Sequence, residues 1–252
     1  MGRIVAVANQ KGGVGKTTTV INLGASLAVA EKRVLLVDFD PQANCTSGMG
    51  VVDPESDVYG VLAGEIDAGR AVVPTEIPFL YLLPGSIALA GGEVELARQA
   101  KREFVLKEAL KQVVSDYDFI LIDCPPSLGL LTLNALTAAD ELLIPIQAEF
   151  FAMEGVSQLL DTLARVKESL NPSLEIRGIL ITMVDERTNL GRQVSGEVKR
   201  YFGKKVFKSM IPRNVRLAEA PSFGKPAVLY DIVSKGAQSY LCVAGEYLSN
   251  ER

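Results

Sequence analysis

The sequence predicts an α/β fold, a mostly parallel, twisted central sheet with helices on both faces. Three observations carry this reading. Apolar, β-branched runs alternate with helical patterns along the chain. Those runs are apolar throughout, not at every second position, as strands covered on both faces must be. No linker, repeat or low-complexity tract divides the 252 residues, which therefore read as one domain, 1–252. A chain of this size buries roughly three quarters of its unfolded surface, enough for a self-sufficient core.

The elements follow in order. RIVAVA (3–8) is a buried first strand, and 16–30 a helix with Val20, Ile21, Leu23, Leu27 and Ala28 at helical spacing. RVLLVDFD (33–40) is a second strand ending in acids, and YLLPG (81–85) a short third. Residues 91–115 read as helical and charged; DFILIDCPP (118–126) is a fourth strand stopped by paired prolines. A helix over 130–139, the fifth strand ELLIPIQ (141–147) and an amphipathic helix over 153–170 come next, the last ended by Asn171-Pro172. EIRGILITMV (175–184) and KVFKSMIP (205–212) read as sixth and seventh strands, and the final helix covers 235–248. Ligands of such sheets sit at the carboxyl ends of strands. NQKGGVGKTTT (9–19), DFDPQ (38–42), DCPPS (123–127) and IPRN (211–214) all fall there.

Composition narrows the chemistry. The chain contains no histidine, which excludes Ser-His-Asp and Cys-His catalysis and histidine-ligated metals. Its three cysteines, Cys45, Cys124 and Cys242, lie far apart, which argues against a disulfide framework and fits a reducing cytoplasm. No run approaches the roughly 20 apolar residues that span a bilayer. Aspartates, lysines, backbone amides and a hard cation remain, the tools of phosphoryl transfer. The net charge is −4, yet the window from Arg187 to Lys225 holds ten basic and two acidic residues, a local +8. That asymmetry marks a candidate nucleic-acid surface.

Strand, glycine-rich loop, Lys-Thr-Thr and helix together aim backbone N–H groups at phosphate oxygens. In Lys11-Gly12-Gly13-Val14-Gly15-Lys16 the glycines permit close approach, Lys16 faces the β- and γ-phosphates, and Thr17 is placed to ligate Mg²⁺. Thr18 is expected at the α-phosphate. Asp123, closing the strand FILID, is expected to hold Mg²⁺ through water. Asp38 and Asp40 share side-chain parity and face one side if the strand stays regular. Asp40 is expected to activate the attacking water, and Asp38 to serve Mg²⁺ or to support the Thr and Lys groups.

KGGVGKTT, VLLVDFDPQAN, DFILIDCPPSLG and IPRNVRLAEAPSFGKP together resemble the ParA/MinD family of deviant Walker ATPases, a P-loop NTPase group, closest to the small chromosome-partitioning ParA proteins. The resemblance covers essentially the whole chain. Departures are Ala43, where the family often has glycine, and Cys45, where a small residue is common. The resemblance implies an ATP-dependent sandwich homodimer in which Lys11 reaches the phosphates bound by the other subunit. It implies that a side chain at Gly12 would obstruct the approach of the two subunits, and that Pro212 and Asn214 contact adenine. It further implies nonspecific binding of double-stranded DNA through Arg187 and Arg216, with Lys199, Arg200, Lys204, Lys205 and Arg213 assisting. Hydrolysis, weak without a resident arginine finger, would be stimulated by a ParB-type centromere-binding partner, and the protein would be cytoplasmic and nucleoid-associated. The alternative is a MinD-like membrane-surface ATPase placing the division site. That reading needs a basic amphipathic C-terminal helix, whereas this sequence finishes AGEYLSNER.

Overall fold

The computed structural model describes residues 2–149, 152–185 and 188–249. Its strands are β1 Arg3–Val7, β2 Val34–Asp38, β3 Val73–Pro74, β4 Leu80–Leu83, β5 Phe119–Asp123, β6 Glu141–Gln147 and β7 Glu175–Thr182. They form one sheet in the order β3-β4-β2-β5-β1-β6-β7. Every neighbouring pair is parallel except β3 with β4. The predicted mostly parallel sheet is therefore present, with one short antiparallel edge.

Successive side chains point to opposite faces. Val5, Val7, Leu36, Leu121, Leu143 and Leu180 belong to one core cluster. Ala6, Leu35, Val37, Ile120, Ile122, Leu142 and Ile181 belong to the other. Helices α1 (Lys16–Val29) and α6 (Lys235–Ser249) bury their apolar stripes on the first face. Helices α2 (Ala88–Leu96), α3 (Leu130–Ala138), α4 (Ala152–Ser169) and α5 (Asn189–Phe202) cover the second. A fully buried central residue such as Leu121 stabilises the fold by roughly 2–3 kcal/mol through burial alone. Removing it would forfeit that and leave a cavity between β1 and β2.

Three expectations are corrected. The stretch 91–115 is not one helix: Lys101 sits at φ +57°, between α2 and a 3₁₀ turn at Arg102–Phe104. The predicted strand 205–212 makes only isolated bridges, Val206 to Ile179 and Pro212 to Val184. Its middle is diverted, because Lys208 N and Ser209 N donate to the Glu246 carboxylate instead of a strand, and Pro212 has no N–H to give. Helix α5 was not expected from the sequence; its signal was Thr188, whose hydroxyl accepts from Gly191 N at 3.1 Å as an N-cap.

Candidate nucleotide site

The loop from Asn9 to Gly15 links β1 to α1 at the carboxyl edge of the sheet. Gly13 and Gly15 adopt φ +74° and +88°, a region costly for any residue with a Cβ. Gly15 caps α1, leaving first-turn amides directed at the space above the loop, as an anion site requires. The loop is braced from two strands. Asn9 donates to Pro145 O at 2.7 Å and accepts from Lys11 N at 3.0 Å, while Thr182 Oγ1 donates to Val14 O at 2.8 Å. Gly12 differs from its neighbours: a Cβ there would meet nothing within 4 Å, and its φ is not positive. Nothing among the described residues demands glycine at that position.

Lys16 and Asp123 are both buried beneath the loop, 7% and 0% exposed. Burial lowers the Lys16 pKa, with Asp123, Cys124 and Asp40 opposing. Burial, then the Asp38 charge, push the Asp123 pKa well above the usual carboxylate range, while Thr17 and Lys16 act the other way. Neither Asp123 oxygen has a hydrogen-bond partner within normal geometry. A buried carboxylate with both oxygens unmet is costly and suits a hydrated cation. Among the described residues no cluster of three or more carboxylate, thiol or imidazole groups forms a protein-only metal cage. That suits magnesium, which favours one or two carboxylates plus nucleotide phosphates. Thr17 and Asp123 fit that donor set.

Asp38 lies beside Asp123 in register across β2 and β5. Its Oδ2 accepts from Thr46 N at 2.7 Å and from Thr46 Oγ1 at 2.6 Å, and its Oδ1 from Asp40 N at 3.4 Å. Burial raises the Asp38 pKa to about 6, with the Thr46 bonds opposing. β2 ends at Asp38, so Asp40 belongs to the following turn and the parity argument stops one residue short of it. Asp40 is 7% exposed and accepts from Gln42 N at 3.0 Å. Ala43 then adopts φ +50° at the head of the short helix Asn44–Gly48. Thr46 was missed from sequence, for a threonine eight residues from an aspartate carries no local pattern.

Lys11, a residue of this loop, pairs outside it. Its ammonium is 3.3 Å from Glu149 Oε2, another residue that sequence reading passed over. Pro212 and Asn214 stand at the same edge of the sheet, Pro212 bridged to Val184 beyond β7. The Asn214 side chain accepts from Arg216 N, capping the helix Val215–Glu219.

The basic window is not one patch. Lys205 donates to Ile176 O near the start of β7, so Lys204 and Lys205, with Lys199 and Arg200 in the last turn of α5, lie at the end of the sheet away from the loop. Arg213 and Arg216 lie at the loop end, on the order of 20 Å further along the chain direction at about 3.3 Å per residue. Arg216 is paired with Glu219 at 2.8 Å and Asp231 at 3.2 Å. Arg187 lies outside the described residues.

A phosphate-type loop between a strand and a helix, a buried lysine and a strand-terminal aspartate define a P-loop NTPase fold. A family model described as an AAA domain matches residues 2–176. The chain is 56% identical to the sporulation initiation inhibitor protein Soj of Bacillus subtilis, over 99% of this chain and 100% of that protein. It is 53% identical to the chromosome partitioning protein ParA of Myxococcus xanthus, over 100% and 89%. The structure of a cobyrinic acid a,c-diamide synthase from Mycobacterium smegmatis, with bound ADP and magnesium, superposes with TM-score 0.86 at 42% identity, over 98% and 94%. Septum site-determining MinD of Pyrococcus horikoshii, complexed with Mg-ADP, follows at TM-score 0.83 and 29% identity, over 98% and 96%. The chain belongs to the Soj/ParA family of chromosome-partitioning proteins.

Proposed function

We propose that this chain is an ATP-dependent DNA-segregation switch, a slow ATPase that pairs face to face on ATP and binds DNA without sequence preference. One observation carries the pairing. Lys11 pairs with Glu149 beyond β6, and a Cβ added at Gly12 would meet nothing of the described residues within 4 Å. Both features have a use when a second copy closes over the loop.

The loop amides and Lys16 would bind the phosphates, and Pro212 and Asn214 the base. Thr17 and Asp123 would hold a magnesium ion, which would supply charge neutralisation to the nucleotide phosphates. Asp40, in the turn after β2, orients the attacking water and accepts its proton. Asp38, tied to Thr46, positions that turn. Lys11 of the second copy completes the charge around the γ-phosphate; at about 4 Å and an effective dielectric of 20 one such contact is worth roughly 4 kcal/mol before desolvation. Loss of the γ-phosphate weakens it, so hydrolysis favours separation. Turnover is slow and open to stimulation by a ParB-type partner. Arg213 and Arg216, at the loop end, would contribute to a nucleoid DNA surface built by both copies.

The membrane-surface alternative is less well supported. α6 places Tyr240, Val243 and Tyr247 in the core beside α1, so its apolar stripe is already covered. Size-exclusion chromatography with ATP, ADP or no nucleotide, each with and without DNA, tests the proposal. A dimer with ATP alone, retaining DNA, is expected; an unchanged monomer in ATP would refute it.

A further inference from the structure

Lys11 is held within its own subunit by a carboxylate that phosphate binding does not require. Glu149 stands just beyond β6, its Oε2 3.3 Å from the Lys11 ammonium. Its Oε1 accepts from Gln147 Nε2 and lies 3.9 Å from Arg213 Nη2. Glu149 thereby joins the phosphate loop, the end of β6 and the segment carrying Pro212 and Asn214. The lysine and glutamate side chains remain 33% and 46% exposed, open to exchange.

We propose that Glu149 is a positioning residue for Lys11: in the separate subunit it occupies the ammonium in place of a phosphate, and it releases it when a second copy presents its nucleotide. This rests on the cross-subunit role of Lys11 proposed above. The exchange discriminates by charge. ADP with its magnesium carries the same single net charge as a carboxylate, so it offers Lys11 no Coulombic advantage over Glu149. ATP with its magnesium carries one charge more, and the exchange becomes favourable. Release does not strand Glu149, because Gln147 and Arg213 stay in reach. An exposed pair is weak enough to yield, as a switch requires.

Glu149→Gln keeps the shape and removes the charge. In the nucleotide-free subunit, Lys11 is acylated with an N-hydroxysuccinimide ester and followed by peptide mass spectrometry, with Lys199 as reference. Freed from its carboxylate, Lys11 should label about 1.4- to 5-fold faster, as one ion pair of this exposure implies. Two pairs break per dimer, so the dimer association constant in ATP should rise between about twofold and thirtyfold. Dimers should also begin to form in ADP. In a Lys11→Ala background, Glu149→Gln should change nothing. Wild-type protein that stays monomeric in ATP overturns the proposed function. A wild type that dimerises, with unchanged Lys11 labelling in Glu149→Gln, overturns the role of Glu149 alone. A dimerisation gain that persists in Lys11→Ala does the same, since Glu149 would then act on the interface directly.

Discussion

Asp38 can be tested by its charge. It is fully buried on β2, its carboxylate held by Thr46 and flanked by Asp40, and its pKa is raised to about 6 from 3.8. A raised carboxylate pKa means that the folded state binds the proton more tightly than the unfolded chain. Stability therefore falls as pH rises from the unfolded value near 4 through the folded value near 6, and then levels. At 1.36 kcal/mol per unit, the ionised group costs the nucleotide-free fold about 3 kcal/mol at pH 7 and roughly half that at pH 5. Asp38→Asn removes this cost while its amide oxygen still accepts both Thr46 bonds. The new NH₂ faces the Asp40 N–H and offsets part of the gain. The net expectation is about 1–3 kcal/mol, or roughly 3–10 °C in Tm for a chain of this length. Thermal unfolding of wild type and variant, with chelator and no nucleotide, should show an advantage for the variant at pH 7 that shrinks towards pH 5. A variant less stable at pH 7, or an advantage independent of pH, would refute the argument and show that the Thr46 bonds need the charge.

Lys16→Ala should abolish ATP binding in a calorimetric titration, and near-normal affinity would remove the loop assignment. Asp40→Ala should still bind ATP and dimerise but hydrolyse about 10²-fold or more slowly in a phosphate-release assay; wild-type turnover would exclude Asp40 as the base. Ala43→Gly should stabilise the nucleotide-free protein by about 1 kcal/mol, because Ala43 sits at φ +50°; chemical denaturation with a lower midpoint would contradict the strain. Arg216→Ala should weaken DNA retention and reduce the slope of log affinity against log salt by about one per subunit. An unchanged slope would move the footprint to Lys199, Arg200, Lys204 and Lys205 at the other end of the sheet.

What was legible in the sequence was local. Runs such as ILID and VLLV announce strands buried on both faces, because apolar periodicity reports burial directly. Gly13, Gly15, Lys16 and Thr17 announce an anion loop, because glycine conformation and a helix start are properties of adjacent residues. The stretch 205–212 shows the limit of that reading. Its residues favour a strand, but Glu246, from α6, takes the amides of Lys208 and Ser209.

The sequence by itself determined the class of fold, six of its strands and the loop that would face phosphate; it missed the short β3 and read 205–212 as a strand. Only tertiary structure decided which groups meet. Asp38 stands beside Asp123 because β2 and β5 are neighbours in the sheet, and Lys11 reaches Glu149, 138 residues away, because β1 lies next to β6. It also split one basic stretch of sequence between opposite ends of the sheet. The reason is physical: periodicity and turn chemistry are set within a few residues, whereas charge pairing depends on strand order, which the packing of the whole core selects.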